Sequence, residues 1–134
     1  TFSKPYCSDF LSIHIFLTPF KKSFVNSVID TKDINTAFTF VCKKNNNITI
    51  YRKEEWFKVF IHETFHTYGL DFATTHNTSL KNVIKTIFPI NSDFNMYEAY
   101  TETWARIINC AFCSFNSLNN KKNKSGKNKE AVAA

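Results

Sequence analysis

The pentapeptide HETFH, residues 62–66, constrains this chain more than any other feature. On an α-helix a four-residue offset stacks two side chains on one face, so His62 and His66 can reach a single divalent metal, with Glu63 beside them. This is the spacing of the HExxH zinc motif. A core helix with histidines satisfied by backbone carbonyls is the alternative, but it explains each histidine separately and leaves the shared spacing unexplained. The motif therefore favours a metal site on a helix.

Apolar residues surround the motif on almost every side of this helix, as expected of a helix buried on most sides. They are Trp56, Phe57, Val59, Phe60, Ile61, Phe65 and Tyr68. Burying a carboxylate and two imidazoles without partners costs on the order of several kcal/mol, which a bound cation offsets. Glu54 and Glu55 suit the N-terminal end of the helix dipole, and Gly69 is a natural C-terminal stop. We therefore expect the helix to run from about Glu54 to Tyr68.

Strands are predicted before this helix and further helices after it. Residues 11–18 are rich in Ile and Phe and read as a strand, and residues 36–42 and 47–52 read as a hairpin. A short amphipathic helix is expected from Leu80 to Phe88, and a long one from about Phe94 to Leu118. The predicted fold class is α+β, with a small N-terminal sheet packed on the motif helix and C-terminal helices.

Length and charge indicate one domain, residues 1–118, followed by a disordered basic tail, residues 119–134. The formal net charge is +6, and the tail holds five lysines against one glutamate. Nucleic acid is therefore an unlikely partner, expected only through the tail. No apolar run approaches the roughly 20 residues needed to span a bilayer, so no membrane partner is expected.

The four cysteines do not suggest a disulfide framework. Cys7 and Cys42 stand alone, whereas Cys110 and Cys113 form a CxxC in an apolar helical stretch that lacks a second pair for a four-thiolate zinc site. We expect buried free thiols, which favour an intracellular compartment. No secretory signal is visible, but the chain begins at Thr1 and a leader can be missing, so the localisation stays open.

A catalytic zinc site needs a third protein ligand, and the last predicted helix offers two candidates. Glu98 and Glu102 lie four residues apart among aromatics. We expect Glu98 to bind the metal and Glu102 to accept a hydrogen bond from a ligand histidine, with the reverse order left open. A solvated acidic face is the alternative for this pair. Asp71 and His76, in the connection after the motif helix, are further candidates or ordinary loop residues.

These residues together resemble the zincin metallopeptidases, in which a strand-rich layer precedes an active-site helix bearing HExxH. The family pattern around the motif is met by Val59, three positions before the first histidine, and by uncharged flanking residues. The downstream acids are similar to those of the gluzincin branch, where a later helix supplies the third ligand in an ExxxD arrangement. Here the stretch from Glu98 to Glu102 ends on glutamate where aspartate is usual.

The metzincin branch fits less well. Its pattern HExxHxxGxxH is followed through Gly69, but Phe72 occupies the place of the third histidine and cannot bind zinc. The Phe-, Asn- and Lys-rich composition and the phrase RKEEWFKVFIHETFH are also similar to uncharacterised zincin-like proteins of large DNA viruses.

The resemblance implies a zinc-dependent metallopeptidase with one Zn²⁺ per chain and a peptide or protein substrate. Glu63 would be the general base for a zinc-activated water. The strand at residues 11–18 would offer an edge to an extended peptide. The developing oxyanion needs a further donor, for which the sequence leaves four candidates: Tyr97, Tyr100, His76 and Arg106.

Two alternatives remain at this point. The first is a zincin-fold protein that binds metal as a structural or interaction module without catalysis. The second is a basic nucleic-acid binder without metal, motivated by the tail alone.

Overall fold

A computed structural model describes residues 6–23, 31–73 and 78–132 of the chain, without the side chains of residues 31, 32 and 121–132. It confirms the α+β class. The elements in chain order are β1 (Phe10–Thr18), α1 (Thr31–Ile34), β2 (Ala37–Thr39), β3 (Asn45–Arg52), α2 (Trp56–Thr67), α3 (Thr78–Ile87) and α4 (Met96–Val132).

The sheet has three strands in the order β1-β3-β2. β3 pairs with β2 in the antiparallel hairpin predicted from the sequence, with Phe38 opposite Thr49. On its other side β3 pairs with β1 in parallel. Every second residue of β3 is buried, and Ile48 and Ile50 are fully enclosed. This alternation turns one face of the sheet toward the helices.

The core lies between this face of the sheet and α2. Ala37, Ile48, Ile50 and Val59 form the buried cluster. On its other side α2 contacts α4, so the motif helix lies between the sheet and the long helix. Polar side chains of the motif, such as Glu63 and His66, are therefore buried where α2 meets its neighbours.

The ends of α2 differ slightly from the prediction. The helix begins at Trp56 because Glu55 takes a left-handed conformation at the N-cap, so the two glutamates precede the first turn. At the other end the predicted stop is confirmed: Gly69 has φ 59°, and the Leu70 N–H donates to the carbonyl of Phe65 at 2.9 Å. Glycine adopts this conformation without the steric cost that a Cβ would add.

The prediction of free, buried cysteines was wrong in two respects: one pair forms a disulfide, and the other pair is exposed. Cys7 and Cys42 form a disulfide across 35 residues. The parallel pairing of β1 with β3 causes this, because it brings the segment before β1 beside the β2–β3 turn, where the Ser8 N–H donates to the carbonyl of Lys43. Cys110 and Cys113 are free as expected, but both are exposed on α4. The cysteines therefore do not favour an intracellular compartment, and the disulfide by itself does not assign one.

α3 closely matches the short helix expected from Leu80 to Phe88. α4 contains the predicted long helix, and its backbone continues past residue 118 to Val132. The division into a domain at residues 1–118 and a basic tail at residues 119–134 stays a prediction. None of the helices in the described residues has the length and hydropathy of a membrane-spanning segment.

Candidate metal centre

Three side chains that can hold a metal ion converge where α2 meets α4. In the described part of the chain, His62, His66 and Glu98 form a group whose ligand atoms lie within 4.8 Å of one another. The two Nε2 atoms of the histidines are 3.0 Å apart. The Oε2 atom of Glu98 lies 3.3 Å from Nε2 of His62 and 3.5 Å from Nε2 of His66. The three donor atoms therefore form a compact triangle.

This triangle matches the requirements of a zinc ion. Zinc bonds of about 2.0–2.1 Å in tetrahedral geometry separate neighbouring donors by roughly 3.3–3.4 Å. The observed separations bracket that value. Two imidazole nitrogens with one carboxylate oxygen are also a donor set of catalytic zinc sites, in which a fourth position stays open for water. The residues present fit such an ion, although the geometry by itself does not identify the metal.

The other ring nitrogen of each histidine has its own carboxylate partner. Nδ1 of His62 lies 3.3 Å from Oε2 of Glu102, and Nδ1 of His66 lies 2.5 Å from Oδ2 of Asp71. A carboxylate accepts a hydrogen bond from the Nδ1–H group, which leaves Nε2 of the neutral ring as the metal-binding atom. Both histidines therefore present the nitrogens that form the donor triangle.

The hydrogen bond between Asp71 and His66 was not predicted from the sequence. There Asp71 was a candidate metal ligand or an ordinary loop residue. Its side chain is 1% exposed, and its second oxygen accepts the Ala73 N–H at 3.2 Å. The left-handed turn at Gly69 reverses the chain and brings Asp71 back to His66. The spacing of Gly69 and Asp71 after the motif was the available signal.

The acids and bases of the site shift one another's pKa. Burial disfavours the charged imidazolium, but hydrogen bonds to Glu98 and Asp71 outweigh burial and raise the pKa of His66 to about 9. Hydrogen bonds from His62 and His66 lower the pKa of Glu98 to about 2. Without a metal, the protonated form of His66 and the ionised form of Glu98 therefore stabilise each other.

Glu63 lies in the same cavity but outside the donor triangle. Glu63 is only 8% exposed. Burial raises the pKa of Glu63 above its ordinary value, while the two neighbouring histidines partly oppose the rise. A carboxylate with a raised pKa is a stronger base, which suits the proton transfer expected of it.

The site opens into a cavity of about 710 Å³, a volume typical of small-molecule and peptide-fragment sites. The residues that line it include the two histidines and Glu63 of α2 and Ala37 to Thr39 of β2. Among the strands that the structure describes, β2 pairs only with β3 and is therefore a sheet edge. The strand proposed for peptide binding, at residues 11–18, is β1, which is also an edge but does not line this cavity among the described residues.

The four candidates for stabilising an oxyanion fall in different places. Tyr97 and Arg106 line the cavity, and the ring of Tyr97 lies 6.2 Å from that of His66. Tyr100 is not among the described lining residues; it packs against other aromatic rings, the nearest being Phe72 at 5.3 Å. His76 lies outside the described residues.

Comparisons with protein-family models, curated proteins and solved structures find no match to this chain. The interpretation of the site therefore depends on its own geometry and chemistry.

Proposed function

We propose that this chain is a zinc-dependent peptidase of the zincin type, related most closely to the gluzincin pattern. The observation that carries the proposal is the donor triangle of His62, His66 and Glu98 with a buried, non-ligand Glu63 in the same cavity. A purely structural metal site needs no such acid and no large opening beside it. The raised pKa of Glu63 further supports a role in proton transfer.

In this proposal His62, His66 and Glu98 hold one Zn²⁺ ion. When bound, zinc activates a water molecule for attack and polarises the scissile carbonyl. Glu63 takes the proton from the attacking water and delivers it to the leaving amine, so no covalent intermediate with the protein forms. Asp71 and Glu102 hold the two imidazoles in the tautomer that exposes Nε2.

The shape of the cavity supports a peptide as substrate. Among the described strands β2 pairs only with β3, and an extended peptide can add to such an edge through main-chain hydrogen bonds. Tyr97 and Arg106 are the two described candidates for contacting the developing oxyanion.

The proposal is tested by comparing Glu63→Gln with the wild-type protein. Both are assayed for zinc content and for cleavage of a fluorescently labelled unfolded protein. We expect about one zinc per chain in each, with cleavage lowered by about 10²–10⁴-fold in the variant because the general base is lost. Glu54→Gln is the matched control, since Glu54 is an exposed glutamate outside the cavity, and it should cleave like the wild type.

The outcomes separate the candidate functions. Zinc without cleavage in the wild type would indicate the structural or interaction module. Cleavage retained by Glu63→Gln would remove Glu63 from its assigned role. A protein that holds no zinc but binds nucleic acid in a salt-sensitive way would indicate the nucleic-acid binder, which acts through the basic tail.

A further inference from the structure

Lys58 lies one helical turn before His62 on α2, where a lysine is unexpected. The residue is only 9% exposed, although its amine carries a charge. Its Nζ donates to Oε1 of Glu102 at 2.7 Å and lies 3.5 Å from Oε2 of Glu55. Buried lysines are rare without such partners, so this amine is tied to the carboxylate on α4.

The carboxylate of Glu102 is held at both of its oxygens. Oε1 accepts hydrogen bonds from Lys58 and from Nε of Arg106 at 2.8 Å. Oε2 faces Nδ1 of His62 at 3.3 Å. Two cations therefore fix one oxygen while the other supports a ring nitrogen that points away from the donor triangle.

Glu98 has the opposite surroundings. Its Oε2 faces the Nε2 atoms of both histidines, and no lysine or arginine pairs with it among the described residues. Glu98 and Glu102 are one turn apart on the same face of α4, and both reach the ring of His62. What distinguishes the two acids is the pair of cations that holds Glu102.

We propose that Lys58 is a positioning residue which, with Arg106, holds Glu102 on Nδ1 of His62 and keeps it away from the metal, so that Glu98 becomes the third ligand. This role rests on the metal site of the proposed function. It explains why Glu98, and not Glu102, binds the metal. Without Lys58, Oε1 of Glu102 keeps only Arg106, whose side chain is 65% exposed. A carboxylate held so weakly is free to turn toward the metal.

The test asks whether removing Lys58 lets Glu102 replace a missing Glu98. Zinc dissociation constants are measured by competition with a fluorescent chelator for Glu98→Gln alone and for Lys58→Met combined with Glu98→Gln. We expect Glu98→Gln to weaken binding by more than about 100-fold, beyond the loss typical of an outer hydrogen-bond partner. The double variant should recover at least about 10-fold of this affinity, and adding Glu102→Gln should abolish the recovery.

Lys22→Met combined with Glu98→Gln is the matched control. Lys22 also pairs with Glu55, at 2.9 Å, but its described contacts do not include Glu102. This double variant should therefore bind zinc no better than Glu98→Gln alone. A simple effect of removing positive charge near the cavity would raise affinity in both double variants and would overturn the positioning role.

A second variant covers the case in which Lys58→Met does not fold, as judged by circular dichroism. Arg106→Met removes the other cation from an exposed position, and in the Glu98→Gln protein it should give a smaller recovery in the same direction. No recovery in any folded variant, with normal zinc binding by the wild type, overturns the role of Lys58 and leaves the metal site intact. Absence of zinc in the wild type overturns the proposed function itself.

Discussion

At the scale of single residues, each histidine of the candidate centre has a carboxylate on the nitrogen that faces away from the metal position. The two carboxylates are held differently. Asp71 is buried and tied to the backbone, whereas Glu102 is partly exposed and tied to two cations. Both arrangements fix the tautomer of a ring, which is what makes a pair of histidines a prepared metal site.

We expect Asp71→Asn to weaken zinc binding by about 10–100-fold. The reason is that an amide oxygen accepts a weaker hydrogen bond from the Nδ1–H of His66 than a carboxylate does. The zinc dissociation constant, measured by chelator competition, gives the effect. Asp93→Asn is the control, since Asp93 is an exposed aspartate that pairs with Lys81 of α3 and does not line the cavity. Equal affinities of the two variants would contradict the role of Asp71.

The metal-free protein should lose stability as the pH rises from 6.5 to about 9. Hydrogen bonds to Glu98 and Asp71 overcome burial and raise the pKa of His66 from its ordinary value of 6.5 to about 9 in the folded chain. The folded chain therefore holds this proton more tightly than the unfolded chain. The resulting stabilisation is complete below pH 6.5 and disappears as the pH passes through 9.

Urea unfolding of chelator-treated protein across this pH range measures the effect as a free energy of unfolding. His66→Gln should lack the decline, because it has no imidazole to protonate. A wild-type free energy of unfolding that stays constant between pH 6.5 and about 9 would contradict the raised pKa of His66.

At the scale of elements, the end of α2 decides where Asp71 lies. Gly69 has a positive φ, and the turn that follows carries the chain back along the helix to His66. The end of the helix and the candidate metal site are therefore parts of one local structure.

Gly69→Ala should lower the free energy of unfolding by about 1–2 kcal/mol, since a Cβ is disfavoured in the left-handed conformation. It should also weaken zinc binding, because the turn positions Asp71. Ala111→Gly is the reverse exchange on the exposed part of α4 and should cost about 0.5–1 kcal/mol without changing zinc affinity. Chemical denaturation measures the stability, and chelator competition measures the zinc affinity. An unchanged zinc affinity in Gly69→Ala would contradict the claim that this turn positions Asp71 for the site.

Every element except α1, and much of the site, could be predicted from the sequence, because each depends on a pattern within one segment. The motif fixed the positions of His62, His66 and Glu63, and helical spacing gave the pair of Glu98 and Glu102. The structure brings Glu98 to both Nε2 atoms.

What could not be predicted depends on contacts between distant segments or on the path of a loop. The parallel pairing of β1 with β3 joins strands separated by a hairpin strand, and no periodicity encodes it. The disulfide follows from that pairing. Asp71 was missed as a partner of His66 because its position depends on the turn at Gly69 and not on helical spacing.

At the scale of the whole molecule, the disulfide links the segment before β1 to the turn that contacts α2, the motif helix. The backbone N–H of Cys42 donates to the carbonyl of His66 at 2.9 Å, at the last turn of α2. The Thr39 and Thr67 hydroxyls, 3.0 Å apart, join β2 to the same end of the helix. The sheet and the motif helix are thus held together close to the site.

Replacing Cys7 and Cys42 by serine should lower the free energy of unfolding by about 4 kcal/mol, the loop-closure value for a crosslink spanning 35 residues. Urea unfolding measures this loss. Replacing the exposed Cys110 and Cys113 by serine is the control and should change stability by less than about 0.5 kcal/mol. A similar effect from both pairs would contradict the structural role of the disulfide.

The central claim is that one zinc ion binds to His62, His66 and Glu98. A crystal structure of zinc-loaded protein, with anomalous scattering measured at the zinc edge, tests it most directly. We expect a single strong peak about 2.0–2.2 Å from Nε2 of each histidine and from a carboxylate oxygen of Glu98. A peak bound by Glu102 in place of Glu98, or no peak between the two histidines, would contradict the account.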